Sequence, residues 1–171
     1  QACGEVGLGR MLQPIEIAEQ LSQLFQTTAL TGRKIMITAG PTWEAIDPVR
    51  GITNHSSGMM GYAVAQAAVE AGAEVTLVSG PTHIQAPESV NTINTISALD
   101  MHAAVMSHID AQDIFIAVAA VADYRPISSA NQKIKKNTDE MTITMVKNPD
   151  ILADVASLES RPFCVGFAAE T

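Results

Sequence analysis

The stretch that decides the fold is KIMITAGPTWEAIDPVRGITNHSSGMMG, residues 34–61. It begins with the apolar run Ile35–Ile37, turns at Gly40-Pro41, and reaches Ser56-Ser57-Gly58 just before a predicted helix. A buried strand, a polar loop and a glycine-bearing helix start together favour a nucleotide-phosphate site. The polar segment between strand and helix is far longer than the roughly 2–6 residues of an ordinary connection. The excess length predicts a functional loop.

Strands and helices alternate along the rest of the chain. The apolar patterns predict strands at 34–39, 74–78, 90–96, 114–122, 141–145 and 163–168. They predict helices at 14–26, 57–71, 98–109 and 151–158, the second ended by Gly72. This alternation predicts an α/β protein, a three-layer Rossmann-like fold with a mainly parallel sheet. Gln at position 1 and a strand-like run near position 171 predict a fragment of a longer polypeptide, truncated at the C-terminus.

The composition excludes several classes of partner. Lys+Arg 10 against Asp+Glu 18 gives a net charge of −8, which argues against a nucleic-acid-binding surface. One nucleotide remains possible, because backbone amides and one or two lysines can neutralise a phosphate locally. The longest apolar run, 114–122, is shorter than the roughly 20 residues of a membrane helix, and no signal peptide is visible. We therefore expect a cytoplasmic protein that binds neither membrane nor nucleic acid.

The helix start at 56–58 has two interpretations. Ser56 or Ser57 can cap the helix while Gly58 exposes free backbone amides to an anion. An ordinary serine cap, with glycine for helix–sheet packing, explains the same residues. Asn54 and His55, just before it, could orient a carbonyl or an oxyanion, or could serve turn geometry alone.

Charged residues in the loops leave further alternatives open. Asp47 and Arg50 could form an internal salt bridge, or Arg50 could face a phosphate, a carboxylate or a neighbouring subunit. The lysines of 133–136 suit a mobile group that closes over a phosphate, or a solvated loop. Segment 147–150 combines helix-start chemistry with groups that could face a base or ribose. The absence of a G-x-G-x-x-G turn and of an acidic residue after strand 74–78 disfavours a nicotinamide enzyme.

Taken together, these motifs resemble phosphopantothenate–cysteine ligase, the second half of the bacterial bifunctional coenzyme A biosynthesis flavoprotein. The resemblance is carried, in order, by TAGPTWEAIDPVRGITNHSSGMMG, AAVADYRP, KIKK, VKNPDIL and VGFAAET. It covers nearly all of 33–171, while the opening ACGEVGLGRM resembles the end of the phosphopantothenoylcysteine decarboxylase half. We therefore expect a decarboxylase tail and linker at 1–30 and the N-terminal part of the ligase domain at 31–171.

The resemblance implies a two-step ligation. The carboxylate of 4′-phosphopantothenate attacks the α-phosphate of CTP, giving an acyl-cytidylate and pyrophosphate, and the amine of cysteine then displaces CMP. Catalytic roles are implied for Asn54 and Lys133, and for Cys3 in FMN-dependent decarboxylation. The nucleotide contacts implied by the family, together with the helix-start residues, are Ala117, Val118, Ala119, Asp123, Lys133, Lys147, Asn148, Pro149, Asp150, Phe167, Ser57 and Gly58.

The family also implies partners that the residues alone do not identify. These are Mg²⁺ in the ligase reaction, with unknown ligands, and FMN in the fused decarboxylase, whose binding part is largely absent from this sequence. A homo-oligomer is expected as well, since family members associate as dimers. A hypothesis of another class is a non-catalytic nucleotide-binding or dimerisation module within a larger assembly.

Overall fold

A computed structural model of the chain describes residues 13–17, 28–136 and 139–168. Its strands are β1 Lys34–Ala39, β2 Trp43–Asp47, β3 Arg50–Thr53, β4 Glu74–Ser79, β5 Asn91–Asn94, β6 Ile114–Ala117, β7 Tyr124–Pro126, β8 Met145–Lys147 and β9 Phe163–Gly166. Its helices are α1 Met59–Glu70, α2 Ala98–His108 and α3 Ile151–Ala156, with a 3₁₀ turn at Ile109–Ala111.

The central sheet has five strands in the order β5-β4-β1-β6-β9, and every neighbouring pair is parallel. The chain moves outward from β1 to β5 and then returns to the other side of β1 with β6. The sheet therefore reverses its order between β1 and β6, which is where open α/β sheets bind ligands. The predicted Rossmann-like fold is confirmed.

Helices cover both faces of this sheet. Along β1, Ile35, Ile37 and Ala39 point to one face and pack with Tyr62 and other residues of α1. Met36 points to the opposite face, where the core is completed by side chains of α2, β6 and α3. Because the central strand is buried on both faces, its sequence is continuously apolar and not alternating. The predicted three layers are therefore present.

The long loop after β1 is folded into an antiparallel hairpin, β2–β3, that the sequence patterns did not predict. The backbone N–H of Trp43 donates to Ile96 at 2.8 Å, and Oε1 of the buried Glu44 accepts from Ala98 N–H at 2.9 Å. The Trp43 indole lies across Gly51, where an added Cβ would come within 2.3 Å of it. The two hydrogen bonds attach the hairpin to the start of α2, and the contact of Trp43 with Gly51 joins the two strands of the hairpin.

Strand β6 is shorter than predicted, because it ends at Ala117 and not at residue 122. Its neighbour β1 ends at Ala39, after which Gly40 turns the chain with a φ of 72°. Beyond that point no adjacent strand is available for a ladder. Residues 118–122 therefore run as an extended loop. Threonine hydroxyls accept from the backbone amides of Val118, Ala119 and Ala122, and a backbone carbonyl accepts from that of Ala120.

Other predicted boundaries also differ. Residues 141–144 are not a strand, because their antiparallel partner β7 has only three residues and pairs with Met145–Lys147. Helix α1 begins at Met59, and its N-cap is Gly58 and not a serine. The predicted serines still contact the helix start, because Oγ of Ser56 accepts from Gly58 N–H at 3.3 Å and Oγ of Ser57 accepts from Met59 N–H at 3.4 Å. The φ of Gly72 is 90°, which confirms its role after α1. Of the helix predicted at 14–26, residues 14–17 are helical, and 18–26 lie outside the described residues.

Candidate active site

The loops after β1 and β6 are joined across the point where the sheet order reverses. Pro41 and Ala120 form a parallel bridge, with Thr42 N–H donating to Ala120 at 3.2 Å and Ala120 N–H donating to Gly40 at 2.9 Å. The bridge divides the carboxyl edge of the sheet into two clefts.

Two buried threonines hold the same loop in place. Oγ1 of Thr38 accepts from Val118 and Ala119 N–H at 3.3 Å each. Oγ1 of Thr42 accepts from Ala122 N–H at 3.0 Å. Since residues 118–122 lack strand partners, these hydroxyls satisfy amides that would otherwise be buried without a hydrogen bond.

The first cleft, here called the β6–β9 cleft, has a volume of about 460 Å³. It lies beside the ends of β6, β8 and β9 and the start of α3. It brings together eight of the predicted nucleotide-binding residues, namely Ala117, Ala119, Asp123, Lys147, Asn148, Pro149, Asp150 and Phe167. Val118, also predicted, is in the adjoining loop and does not line the cleft.

Asn148 is the structural centre of this cleft and is only 5% exposed. Its Nδ2 donates to Ala122 at 2.7 Å, its backbone N–H donates to Asp123 at 2.7 Å, and its Oδ1 accepts from Arg125 at 3.0 Å. Both polar atoms of the side chain therefore bind the protein itself. Asn148 shapes the wall of the cleft, whereas Asp123 and Lys147, which also line it, are exposed.

The second cleft, here called the histidine cleft, has a volume of about 730 Å³. Its lining includes the polar residues His55, His83, Ser57 and Thr82, and no acidic side chain of the described residues is part of it. The N-terminus of the twelve-residue helix α1 lies beside it. Gly58, with a φ of 81°, turns the chain into this helix and approaches Gly40 so closely that an added Cβ would lie 3.1 Å from its Cα.

Asn54 lies on the ridge between the two clefts. Its Nδ2 donates to the carbonyls of Ala120 at 3.0 Å and Val121 at 3.1 Å, while the residue itself lines the histidine cleft. Val121 lines the β6–β9 cleft on the other side. Because the Asn54 side chain is held through the hydrogen bonds of its Nδ2, its Oδ1 remains as an acceptor at the boundary between the two clefts.

The tip of the β2–β3 hairpin is held by Asp47 and Arg50. The Asp47 side chain is fully buried and pairs with Arg50, so the internal salt bridge is the alternative that the structure bears out. The Arg50 guanidinium, followed by backbone N–H donors, holds the pKa of Asp47 well below its usual range against the opposing effect of burial. The pair also binds the backbone of Ile134, in the loop that carries Lys133.

The predicted catalytic residues are not all brought together. Lys133 is exposed and lines neither cleft, and no hydrogen bond or ion pair of its side chain is found within the described residues. Cys3 lies outside the described residues. Asn54 and Ser57 line the same cleft, and Gly58 follows them at the helix start.

Several residues of the site were not found from the sequence. Thr38, Thr42 and Glu44 position the loops, and the carbonyl of Ala120 receives Asn54. A signal for the hairpin was present, because two short β-prone runs, 43–47 and 50–53, flank Asp-Pro-Val-Arg turn chemistry. Backbone partners such as Ala120 carry no such signal.

The described residues contain no group of three or more His, Cys, Asp or Glu side chains that could hold a metal ion. Asp123 and Asp150 both line the β6–β9 cleft, but Oδ1 of Asp150 already accepts from Ala153 N–H at 3.0 Å. A divalent cation here would therefore need oxygen ligands from a bound phosphate, which is how Mg²⁺ is usually held. Within the same residues, no helix is long and apolar enough to cross a membrane.

Comparison with known families identifies this arrangement of loops and sheet. The family described as DNA/pantothenate metabolism flavoprotein C-terminal domain matches residues 30–171. The chain belongs to this family. A protein of Vibrio vulnificus (strain YJ016), described as coenzyme A biosynthesis bifunctional protein CoaBC, is 62% identical over 174 residues, which cover 100% of this chain and 43% of that protein.

The CoaBC protein of Escherichia coli (strain K12) is 54% identical over 176 residues, covering 100% of this chain and 43% of its own length. The chain thus spans less than half of these relatives. The crystal structure of the C-terminal domain of a CoaBC protein superposes with a TM-score of 0.74 at 47% identity, covering 85% of this chain and 68% of the other. These matches confirm the family resemblance seen in the sequence motifs.

Proposed function

We propose that this chain carries part of the active site of a CTP-dependent phosphopantothenate–cysteine ligase in coenzyme A biosynthesis. The full protein would make an acyl-cytidylate from CTP and 4′-phosphopantothenate, and then transfer the acyl group to the amine of cysteine. The names of the relatives support the pathway. The position of Asn54 is the observation that supports the chemistry most directly.

A two-substrate transfer needs two binding spaces that meet where bonds are exchanged. The β6–β9 cleft would take the cytidine, with its phosphates crossing the Asn54 ridge toward Ser57 and Gly58. The histidine cleft lies on the far side of that ridge. The carboxylate of 4′-phosphopantothenate would then meet the α-phosphate beside the Asn54 amide. Fixing both partners at one place is itself worth several kcal/mol of the activation barrier.

Charge neutralisation is the main demand of the first step, because a carboxylate approaches a phosphate. Lys133 would supply a mobile positive charge as its loop closes over the phosphates. Mg²⁺ would bind through the nucleotide phosphates, with Asp123 as the exposed carboxylate available in the cleft. In the second step, Asn54 would orient the acyl-cytidylate for attack by the amine.

In this proposal, the decarboxylase activity resides in the half of the bifunctional protein that is not the ligase. FMN would be bound there, and Cys3 would serve that reaction. The full protein would be cytoplasmic and would act as a homo-oligomer through its ligase domain.

The proposal is tested with the complete protein by measuring pyrophosphate release and ligation product. Lys133→Gln is expected to suppress CTP-dependent pyrophosphate release, and Asn54→Asp to impair conversion of the intermediate. If each interaction supplies about 3–4 kcal/mol, each loss should be about 10²–10³-fold. Near-normal ligation by both variants would refute these roles.

The competing hypothesis, a non-catalytic nucleotide-binding or dimerisation module, makes a different prediction. The absence of a metal cluster within the described part of the chain and the protein-bound Asn148 are compatible with simple binding. Calorimetry with CTP and ATP separates the two. Selective CTP binding accompanied by turnover supports the ligase, while CTP binding without any turnover by the complete protein supports the module.

A further inference from the structure

A buried carboxylate at the hairpin tip binds the backbone of the lysine-bearing loop. Oδ1 of Asp47 accepts from Val49 and Arg50 N–H at 2.9 Å each, so one oxygen is used within the turn itself. Oδ2 accepts from the Arg50 guanidinium and from Ile134 N–H, the latter at 3.1 Å. Ile134 is separated from Asp47 by 87 positions in sequence.

The contact with Ile134 is two-sided. Nη2 of Arg50 donates to the Ile134 carbonyl at 3.0 Å, while Asp47 accepts from its N–H. Both backbone groups of one residue are therefore bound by an ion pair, and this set of contacts is here called the Asp47 clamp. A second contact nearby, from Ala130 N–H to the Ile46 carbonyl at 2.9 Å, joins the same loop to the same strand.

The contacts of the clamp favour the ionised form of the Asp47 carboxylate. Its carboxylate is buried but receives donors from four groups, and the Arg50 guanidinium is the largest of the causes that lower the pKa of Asp47. A buried carboxylate paired in this way loses its partners only at considerable cost. The clamp carboxylate is buried, whereas the three neighbouring lysines, Lys133, Lys135 and Lys136, are exposed.

We propose that Asp47 is a positioning residue that, through the Ile134 backbone, sets the place from which Lys133 reaches the reacting phosphates. The clamp holds one point of the loop while the adjacent side chain remains free to move. A lysine on an unanchored loop would spend less time near the ridge, so the rate of the first step would fall. This inference rests on the proposed function, because it assigns Lys133 to pyrophosphate release.

A physical readout of the clamp does not depend on activity. Trypsin cleaves after exposed lysines, and a loop freed at Ile134 should be cut faster at Lys133, Lys135 and Lys136 than the clamped loop. In the complete protein, Asp47→Asn is expected to raise the rate of cleavage at these lysines at least several-fold. Asp113→Asn is the matched control, since it alters another Asp–Arg pair, with Arg33, at the opposite edge of the sheet.

A substitution in the lysine-bearing loop distinguishes loss of the clamp from a general folding defect. Ile134→Pro removes the N–H that donates to Asp47 and leaves the Asp47–Arg50 pair in place. Ile134→Ala keeps the N–H and controls for the loss of the side chain. Because trypsin does not cut after a lysine that is followed by proline, Ile134→Pro is expected to reproduce the faster cleavage of Asp47→Asn at Lys135 and Lys136 only. Ile134→Ala is expected to show a smaller change at these two lysines.

The functional test is a double-mutant cycle on pyrophosphate release. Asp47→Asn is expected to lower kcat about 10-fold to 100-fold, as a misplaced catalytic group does, with little change in the KM for CTP. In the Lys133→Gln background the same change should cost less than about twofold, because its effect passes through Lys133. Equal losses in both backgrounds, or unchanged tryptic cleavage, would overturn the inference.

Different results would refute the proposed function and this inference. If Lys133→Gln alone leaves pyrophosphate release unchanged, the role of Lys133 is wrong and the inference falls with it. If Lys133→Gln is strongly impaired while Asp47→Asn and Ile134→Pro behave like wild type, only the clamp is refuted.

Discussion

Two threonines allow the hydrogen bonds that hold the active-site loop to be measured against a matched control. The residue Thr42 is fully buried, and its Oγ1 accepts from Ala122 N–H at 3.0 Å. Oγ1 of Thr92, in β5, is buried and has no hydrogen-bond partner among the described residues. Valine has nearly the same shape as threonine but no hydroxyl. The substitutions Thr42→Val and Thr92→Val therefore differ mainly in whether a partner is left behind.

The structure sets the expected magnitudes. Thr42→Val leaves a buried N–H unsatisfied, which costs about 1–3 kcal/mol of the free energy of unfolding. For a chain of this size, each kcal/mol lowers Tm by about 2–4 °C. Thr92→Val removes an unpaired buried hydroxyl, so its Tm should be unchanged or higher.

The assay is thermal unfolding of both variants beside wild type, combined with calorimetric titration of CTP. Because Ala122 lines the β6–β9 cleft and its carbonyl accepts from Asn148, Thr42→Val should also weaken CTP binding, whereas Thr92→Val should not. Equal destabilisation by the two substitutions would refute the reasoning. A destabilised Thr42→Val protein with unaltered CTP affinity would show that the loop is not part of the nucleotide site.

Two further predictions concern stability. Gly80→Ala would place a Cβ 1.8 Å from the Pro41 carbonyl oxygen, so we expect a loss of at least about 3 kcal/mol in the free energy of unfolding, measured by chemical denaturation. Gly32→Ala, whose Cβ would meet no atom of the described residues within 4 Å but whose φ is 77°, should lose only about 1–2 kcal/mol, and similar losses in the two variants would contradict the packing argument. Hydrogen bonds from the backbone and, to a lesser extent, the side chain of Ser97 lower the pKa of Asp100. The ionised carboxylate therefore stabilises the fold at a pH above its pKa in the unfolded chain, about 3.9, and this contribution is lost as the pH falls below that value. Asp100→Asn should flatten the dependence of unfolding free energy on pH in that acid range, and an unchanged slope would show that Asp100 contributes nothing.

The fold could be predicted because its central elements follow local rules. β1 is continuously apolar, as a strand buried on both faces must be, and α2 begins with a Ser97–Asp100 capping box. The end of β6 could not be predicted in this way. Residues 118–122 are as apolar as a strand, and they leave the sheet only because β1, their partner, turns away at Gly40.

The candidate site also combines features set by local sequence with features set by distant partners. Motif residues such as Asn54, Asp123 and Asn148 could be named from the sequence, since each lies in a loop after a strand. Their tasks depend on partners that are distant in sequence, such as the Ala120 carbonyl for Asn54 and Ile134 for Asp47. At the start of α1 the sequence predicted a serine N-cap, whereas Gly58 in a left-handed conformation is the N-cap and the hydroxyls of Ser56 and Ser57 accept from Gly58 and Met59 N–H.

In the proposed reaction, an acyl-cytidylate forms at Asn54, where the two clefts meet, before cysteine reacts. Rapid-quench analysis of the complete protein, mixed with CTP and 4′-phosphopantothenate but without cysteine, tests this order of events. We expect a burst approaching one pyrophosphate per active site, matched by a bound acyl-cytidylate that converts to product when cysteine is added. Pyrophosphate release that requires cysteine from the start, or that proceeds equally well with ATP, would contradict the proposed reaction.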